Sequence, residues 1–235
     1  MNPIENIKPF PEEKYKLIKV LEGGRNHVSV RNHMGKSKCY VIKEISEKSI
    51  YITRWHIQNE IEIGKKLNHE NFAKTFKSYI SKTNEVISHY LIMEYIENGL
   101  TITDFIEKHN VTKITKEDFK KIVIQLFSGI IYALNQNICP RDLNGRNILI
   151  DLNYKLTFID YGKYVKGYIK YKQANGLEYE LGYHLRNLIR ITSQCESLNS
   201  WEKRSWDNQN VTYKLLTERY TEVLDDPVLK QTKDI

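Results

Sequence analysis

The sequence predicts an α+β fold in two lobes, a small antiparallel sheet followed by a truncated, mainly helical part. Three features point to it. Before residue 96 the apolar residues come in short runs, partly alternating and broken by turn residues, as in half-buried strands. Later, Lys116 to Leu134 (KEDFKKIVIQLFSGIIYAL) repeats apolar residues at helical spacing. Finally, Ile138 to Gly162 (ICPRDLNGRNILIDLNYKLTFIDYG) places a polar loop ahead of a short apolar hairpin. A chain of 235 residues is long enough for one large domain or two small lobes.

Taken in order, a Pro-punctuated leader precedes Tyr15 to Leu21 (YKLIKVL), the first strand. Glu22-Gly23-Gly24-Arg25-Asn26 is a turn, and His27 to Arg31 is the second strand. Met34-Gly35-Lys36-Ser37 turns into the third strand, Cys39 to Ile45 (CYVIKEI). A helix is expected over Gln58 to Leu67 (QNEIEIGKKL), running into Asn68-His69-Glu70-Asn71-Phe72. Thr75 to Ile80 and Ser88 to Met93 complete a five-stranded sheet. Asp104 to His109 is a short helix. In the long helix from Lys116, residues Phe119, Ile122, Val123, Leu126, Ile130 and Ala133 form one apolar stripe, which makes it the central helix of the second lobe.

Composition narrows the class. Charged residues at 28% and apolar ones at 40% suit a soluble globular chain. No apolar run reaches the ~18 residues of a membrane span, and the N-terminal residues lack the apolar core of a signal peptide. Cys39, Cys139 and Cys195 are scattered and odd in number, which predicts a reducing, cytoplasmic setting and no metal-ligand cluster. A net charge of +7 suits anionic partners, but the charges are spread, which argues against a nucleic-acid surface.

The chemistry concentrates in the hairpin region. Asp142 and Asn147 lie five residues apart, and Asp160 follows Asn147 by thirteen. Ile148-Leu149-Ile150 and Leu156-Thr157-Phe158-Ile159 form the hairpin, joined by Asp151-Leu152-Asn153, so two carboxylates and a carboxamide gather at its mouth. Phosphoryl transfer needs such a set: one Asp to orient the nucleophile, and an Asn with a second Asp to hold magnesium.

This segment resembles the catalytic loop and magnesium-binding turn of the protein-kinase superfamily, HRDLxxxN followed by DFG. Pro140 stands in place of the His and Tyr161 in place of the Phe. Tyr40-Val41-Ile42-Lys43 resembles that family's V-A-I-K strand, whose lysine holds the α- and β-phosphates. Glu60, nine residues before His69, matches the helix glutamate that pairs with this lysine, with Glu62 as the neighbouring alternative. Gly64 stands where the family's helix presents an apolar side chain to the magnesium turn, so the resemblance does not fix how tightly the two pack.

The resemblance implies a single protein-kinase-like domain over 1–235, with the first lobe at about 12–96 and a shortened second lobe at about 100–235. It implies ATP and Mg²⁺ as cofactors, with Asp142 and Arg146 joining Lys43 and Glu60 as the catalytic set and Asn147 and Asp160 binding the metal. The nucleotide would lie against an eroded glycine turn (Gly23, Gly24), Val28, Val41 and Leu149. Met93 would sit beside the adenine, and the backbones of Glu94 and Ile96 would bond its edge.

Three functions are consistent with these residues. The helix and hinge patterns favour a protein kinase acting on Ser/Thr, with Tyr second. The lysine found two positions after the catalytic Asp in Ser/Thr kinases is here Asn144, and the cation appears instead at Arg146. The loop DLNGRN also resembles small-molecule kinases related to aminoglycoside phosphotransferases, as does the lack of an Ala-Pro-Glu anchor in Lys163 to Leu177. The eroded glycine turn, Pro140 and Gly64 favour a regulatory pseudokinase, against which stand Lys43, Asp142 and both metal ligands. A helix is expected from Glu178 to about Ile191. The short segment before it predicts that Arg141 bonds backbone or a carboxylate such as Glu178 or Glu180. In the competing expectation, Tyr164, Tyr168 or Tyr171 is a surface phosphorylation site.

Overall fold

The structure, a computed structural model, describes residues 8–21, 26–48, 52–83, 86–108 and 116–167. Gly23, Gly24, Tyr168, Tyr171, Glu178, Glu180 and the helix expected from Glu178 lie outside the described residues. The described residues fall into two compact units. One takes those within 8–68, 73–96 and 161–163, and the other those within 69–72, 97–160 and 164–167.

The first unit is a five-stranded antiparallel sheet with one helix. Its strands are β1 (Tyr15–Leu21), β2 (His27–His33), β3 (Cys39–Ser46), β4 (Thr75–Thr83) and β5 (Val86–Glu94), in the spatial order β1-β2-β3-β5-β4. Helix α1 (Arg54–Lys66) begins four residues before the expected Gln58 because Thr53 caps it. Thr53 Oγ1 accepts from the His56 amide at 3.4 Å, and His56 Nδ1 accepts from the Thr53 amide at 3.2 Å. One sheet face packs Ile45, Leu91 and Met93 against Ile57 of α1, with Val41 joining. The other buries Tyr15, Ile42 and Ile92 under Phe10, Tyr40, Tyr79 and Tyr90. The leader contributes to that second face. Phe10 stacks on Tyr90 with ring centroids 4.7 Å apart, and its amide donates to Ser81 Oγ at 3.1 Å.

The second unit contains β6 (Leu100–Thr101), α2 (Ile102–Lys108), α3 (Lys116–Asn135), β7 (Ile138–Cys139), β8 (Ile148–Ile150), β9 (Leu156–Phe158) and β10 (Val165–Lys166). The expected hairpin is present: Ile148 pairs with Phe158 and Ile150 with Leu156. Helix α3 buries Ile122, Leu126, Ile130 and Ala133. At Gly129 a Cβ would come within 2.4 Å of Phe158 Cε2, so glycine lets the Phe158 ring close on the helix. A polar brace completes the join. Gln125 Oε1 accepts from the Leu156 amide at 3.0 Å, and Asn71 Nδ2 donates to the Leu156 carbonyl at 2.9 Å. Tyr164 is 1% exposed, a core residue, so the competing expectation of a surface phosphorylation site does not hold for it. Among the described residues no helix is long and apolar enough to cross a membrane.

Candidate active site

The candidate residues fall in both units, and each group has its own local origin. In the first unit, Lys43 lies on β3, flanked by Val28 of β2 and Leu91 of β5. Residues two apart on a strand share a face. Val41 therefore lies beside Lys43, and Met93, the cross-strand partner of Val41, lies on that face too. Four of the expected nucleotide contacts (Val28, Val41, Lys43, Met93) are thus brought to one side of the sheet. Glu94 and Ile96 end β5 and follow it, both half-buried. The Glu94 amide donates to the Lys74 carbonyl at 2.9 Å, so a backbone bond from Glu94 to a ligand falls to its carbonyl oxygen.

Helix α1 supplies the partner of Lys43. Lys43 Nζ lies 3.0 Å from Glu60 Oε1, with the two side chains 9% and 2% exposed. Glu62, the alternative, is exposed and accepts from Gln58 Nε2 at 2.7 Å. Two residues along a helix is over half a turn, so only one of these glutamates can face the sheet. The start of α1 is anchored at Glu47, whose carboxylate takes His89 Nε2 at 2.8 Å and Arg54 Nη2 at 3.2 Å. Burial pushes the Glu47 carboxyl up, but the bonds to His89 and Arg54 outweigh it and hold the group below the usual carboxylate range.

Tyr161 and Gly162 pack tightly on α1. A Cβ at Gly64 would lie 2.2 Å from Thr75 Oγ1 and 3.1 Å from Tyr161 Cδ2, so the missing side chain is space the neighbours occupy. The Tyr161 hydroxyl donates to the Ala73 carbonyl at 2.8 Å. Asn59 Nδ2, one residue before Glu60, donates to the Gly162 carbonyl at 3.3 Å. The two departures from the family pattern are thus each accommodated: the space left by Gly64 is taken chiefly by Thr75, and the Tyr161 hydroxyl finds a buried acceptor at Ala73. Tyr161→Phe should lower stability by about 1–2 kcal/mol, since the Ala73 carbonyl loses that donor. Urea unfolding checks this, and an unchanged midpoint would deny the bond any stabilising part.

In the second unit the loop between β7 and β8 carries Asp142, Arg146 and Asn147. Asn147 Nδ2 donates to the Asp142 carbonyl at 2.8 Å and lies 3.4 Å from Asp142 Oδ2. Because its nitrogen is turned to Asp142, the Asn147 amide oxygen is the atom left for a cation. The Ile159 amide donates to the Asn147 carbonyl at 2.9 Å, which holds the start of β8 against the residue before Asp160. A carboxamide oxygen and a carboxylate are hard donors that suit magnesium, whose remaining positions go to phosphate and water. Asp142 and Asp160 both have left-handed backbones, φ 59° and 63°. Asp is among the few residues that tolerate this region. Arg146 is exposed, and Leu149 is half-buried on β8, paired with Thr157 and Thr101.

Comparison with known proteins decides the family. The family model for the protein kinase domain matches residues 16–185, more than half of the chain. The chain belongs to the protein kinase family. Within that family it is 29% identical over 143 residues to "Probable serine/threonine-protein kinase MARK-A" of Dictyostelium discoideum. It is 28% identical over 166 residues to calcium-dependent protein kinase 4 of Plasmodium falciparum. To serine/threonine-protein kinase cds1 of Schizosaccharomyces pombe it is 27% identical over 165 residues. These matches cover 56%, 68% and 67% of this kinase-family chain but only 13%, 30% and 34% of the relatives' own lengths. Three side chains with bonds at these positions carry no family signal in the sequence: Asn59, the Tyr161 hydroxyl and Asn144.

Proposed function

We propose that this chain is an ATP-dependent protein kinase domain, spanning 1–235, that transfers the γ-phosphate of ATP to a serine or threonine hydroxyl of a protein. The observation that carries the reading is the loop in which Asn147 Nδ2 donates to the Asp142 carbonyl while the Asn147 carbonyl takes the amide of Ile159, the residue before Asp160. The Asn147 side-chain oxygen and the Asp160 carboxylate would then serve a metal. Lys43, fixed by Glu60, places the α- and β-phosphates. On this reading Val28, Val41 and Met93, which share one face of the sheet, would contact the base, and the Glu94 carbonyl and Ile96 backbone would bond its edge. Leu149, Gly23 and Gly24 keep the nucleotide contacts that the family resemblance implies. Asn147 and Asp160 would hold magnesium, which would neutralise phosphate charge. Asp142 orients the acceptor hydroxyl and takes its proton as oxygen bonds the γ-phosphorus and ADP departs. Arg146 offers its guanidinium to the transferred phosphoryl group.

Serine or threonine as acceptor rests on the relatives, two of which are named serine/threonine-protein kinases. The loop DLNGRN supports a second reading, a kinase of small hydroxyl compounds. ATP turnover with magnesium, against a protein mixture and a panel of small alcohols and aminoglycosides, separates the two. Phosphoserine or phosphothreonine on protein supports the first, and a labelled small molecule with unlabelled protein supports the second.

A further inference from the structure

We infer that Asn144 is a positioning residue that sets the orientation of the Asp142 carboxylate. The inference rests on the kinase reading of Asp142 and names how this chain supports that residue without a lysine at position 144. Asn144 Nδ2 donates to Asp142 Oδ1 at 3.1 Å and to the Asp142 carbonyl at 3.2 Å. Asn147 Nδ2 lies 3.4 Å from the other carboxylate oxygen, Oδ2. Each oxygen of Asp142 therefore faces one carboxamide, and the two together set the plane of the carboxylate. The Asn144 contact is the shorter of the two.

The other end of the Asn144 side chain is also in use. Its Oδ1 accepts from the Arg146 amide at 3.0 Å, and its backbone amide donates to the Asp142 carbonyl at 2.7 Å. A carboxamide both donates and accepts, whereas a lysine ammonium only donates. Lysine at 144 could bond Asp142 but would leave the Arg146 amide without this acceptor. Asn144 thus joins the carboxylate of Asp142, whose backbone is left-handed with φ 59°, to the loop that carries Arg146. Small errors in the placement of a reacting group are costly to rate, so the support belongs to turnover and not to nucleotide binding.

Asn144→Asp is the sharpest test. It keeps an acceptor for the Arg146 amide but replaces the donor to Asp142 with a carboxylate oxygen. Asn144→Ala, which removes both ends, is measured beside it. The expected result in both is a kcat lower by about tenfold or more, with KM for ATP and thermal midpoint near wild type. In an Asp142→Asn background neither change should lower the residual rate further. The inference is overturned if the folded variants keep wild-type kcat, if KM for ATP rises in step with the loss, or if neither variant folds, since Asn144 would then be a structural residue. A wild-type chain without phosphoryl transfer, or one insensitive to Asp142→Asn, would instead overturn the kinase reading itself. Activity that is lost in Asp142→Asn but full in both Asn144 variants overturns this inference alone.

Discussion

Asp160→Asn should weaken magnesium-dependent ATP binding by at least about a hundredfold, because even outer-sphere partners of a metal are worth 10–100-fold in affinity. The fold should survive. Asparagine has the shape of aspartate and tolerates the left-handed backbone at this position, φ 63°. The charged donor of the pair is lost while the neutral Asn147 oxygen remains. Calorimetry with ATP, with and without magnesium, checks it. Equal Mg-ATP affinity in the variant and the wild type would remove Asp160 from the metal site.

Lys43→Met should destabilise the first unit by about 3 kcal/mol or more, because it removes the ammonium beside a carboxylate that is 2% exposed. Methionine fills similar volume, so little of the loss comes from packing. The informative variant is the double one. Adding Glu60→Gln removes the buried charge as well and should restore much of the stability, while ATP affinity stays low for want of the lysine. Denaturant unfolding of both single variants and the double variant tests this. Additive losses would mean that the two side chains are not coupled, despite the 3.0 Å between them.

The parts of this fold that were legible in the sequence are those written in local pattern. Strands β1, β3, β4 and β5 show as short apolar runs, and the hairpin β8–β9 shows as two such runs around Asp151-Leu152-Asn153. Asp142, Asn147 and Asp160 stood out by their spacing around that hairpin, and Lys43 by the resemblance of its strand to the family's V-A-I-K. The start of α1 was missed because histidine, not Glu or Gln, completes its capping box at His56. Two-residue strands such as β7 and β10 have no local signature, since Cys139 finds Val165 only through the folded chain. The exchange among Gly64, Thr75 and Tyr161 was also illegible. Gly64 and Tyr161 alone look like departures from the family pattern, and only the folded chain shows that Thr75 fills the space the missing Gly64 side chain leaves.

The measurement that tests the central claim most directly is transfer of labelled γ-phosphate from ATP by the purified chain with magnesium, beside Asp142→Asn. The proposed mechanism predicts label on serine or threonine of a protein acceptor. It also predicts a rate about 10²–10⁴-fold lower in the variant, with Mg-ATP affinity kept. A folded wild-type chain that binds Mg-ATP but transfers no phosphate would contradict it, as would an Asp142→Asn variant that works at the wild-type rate.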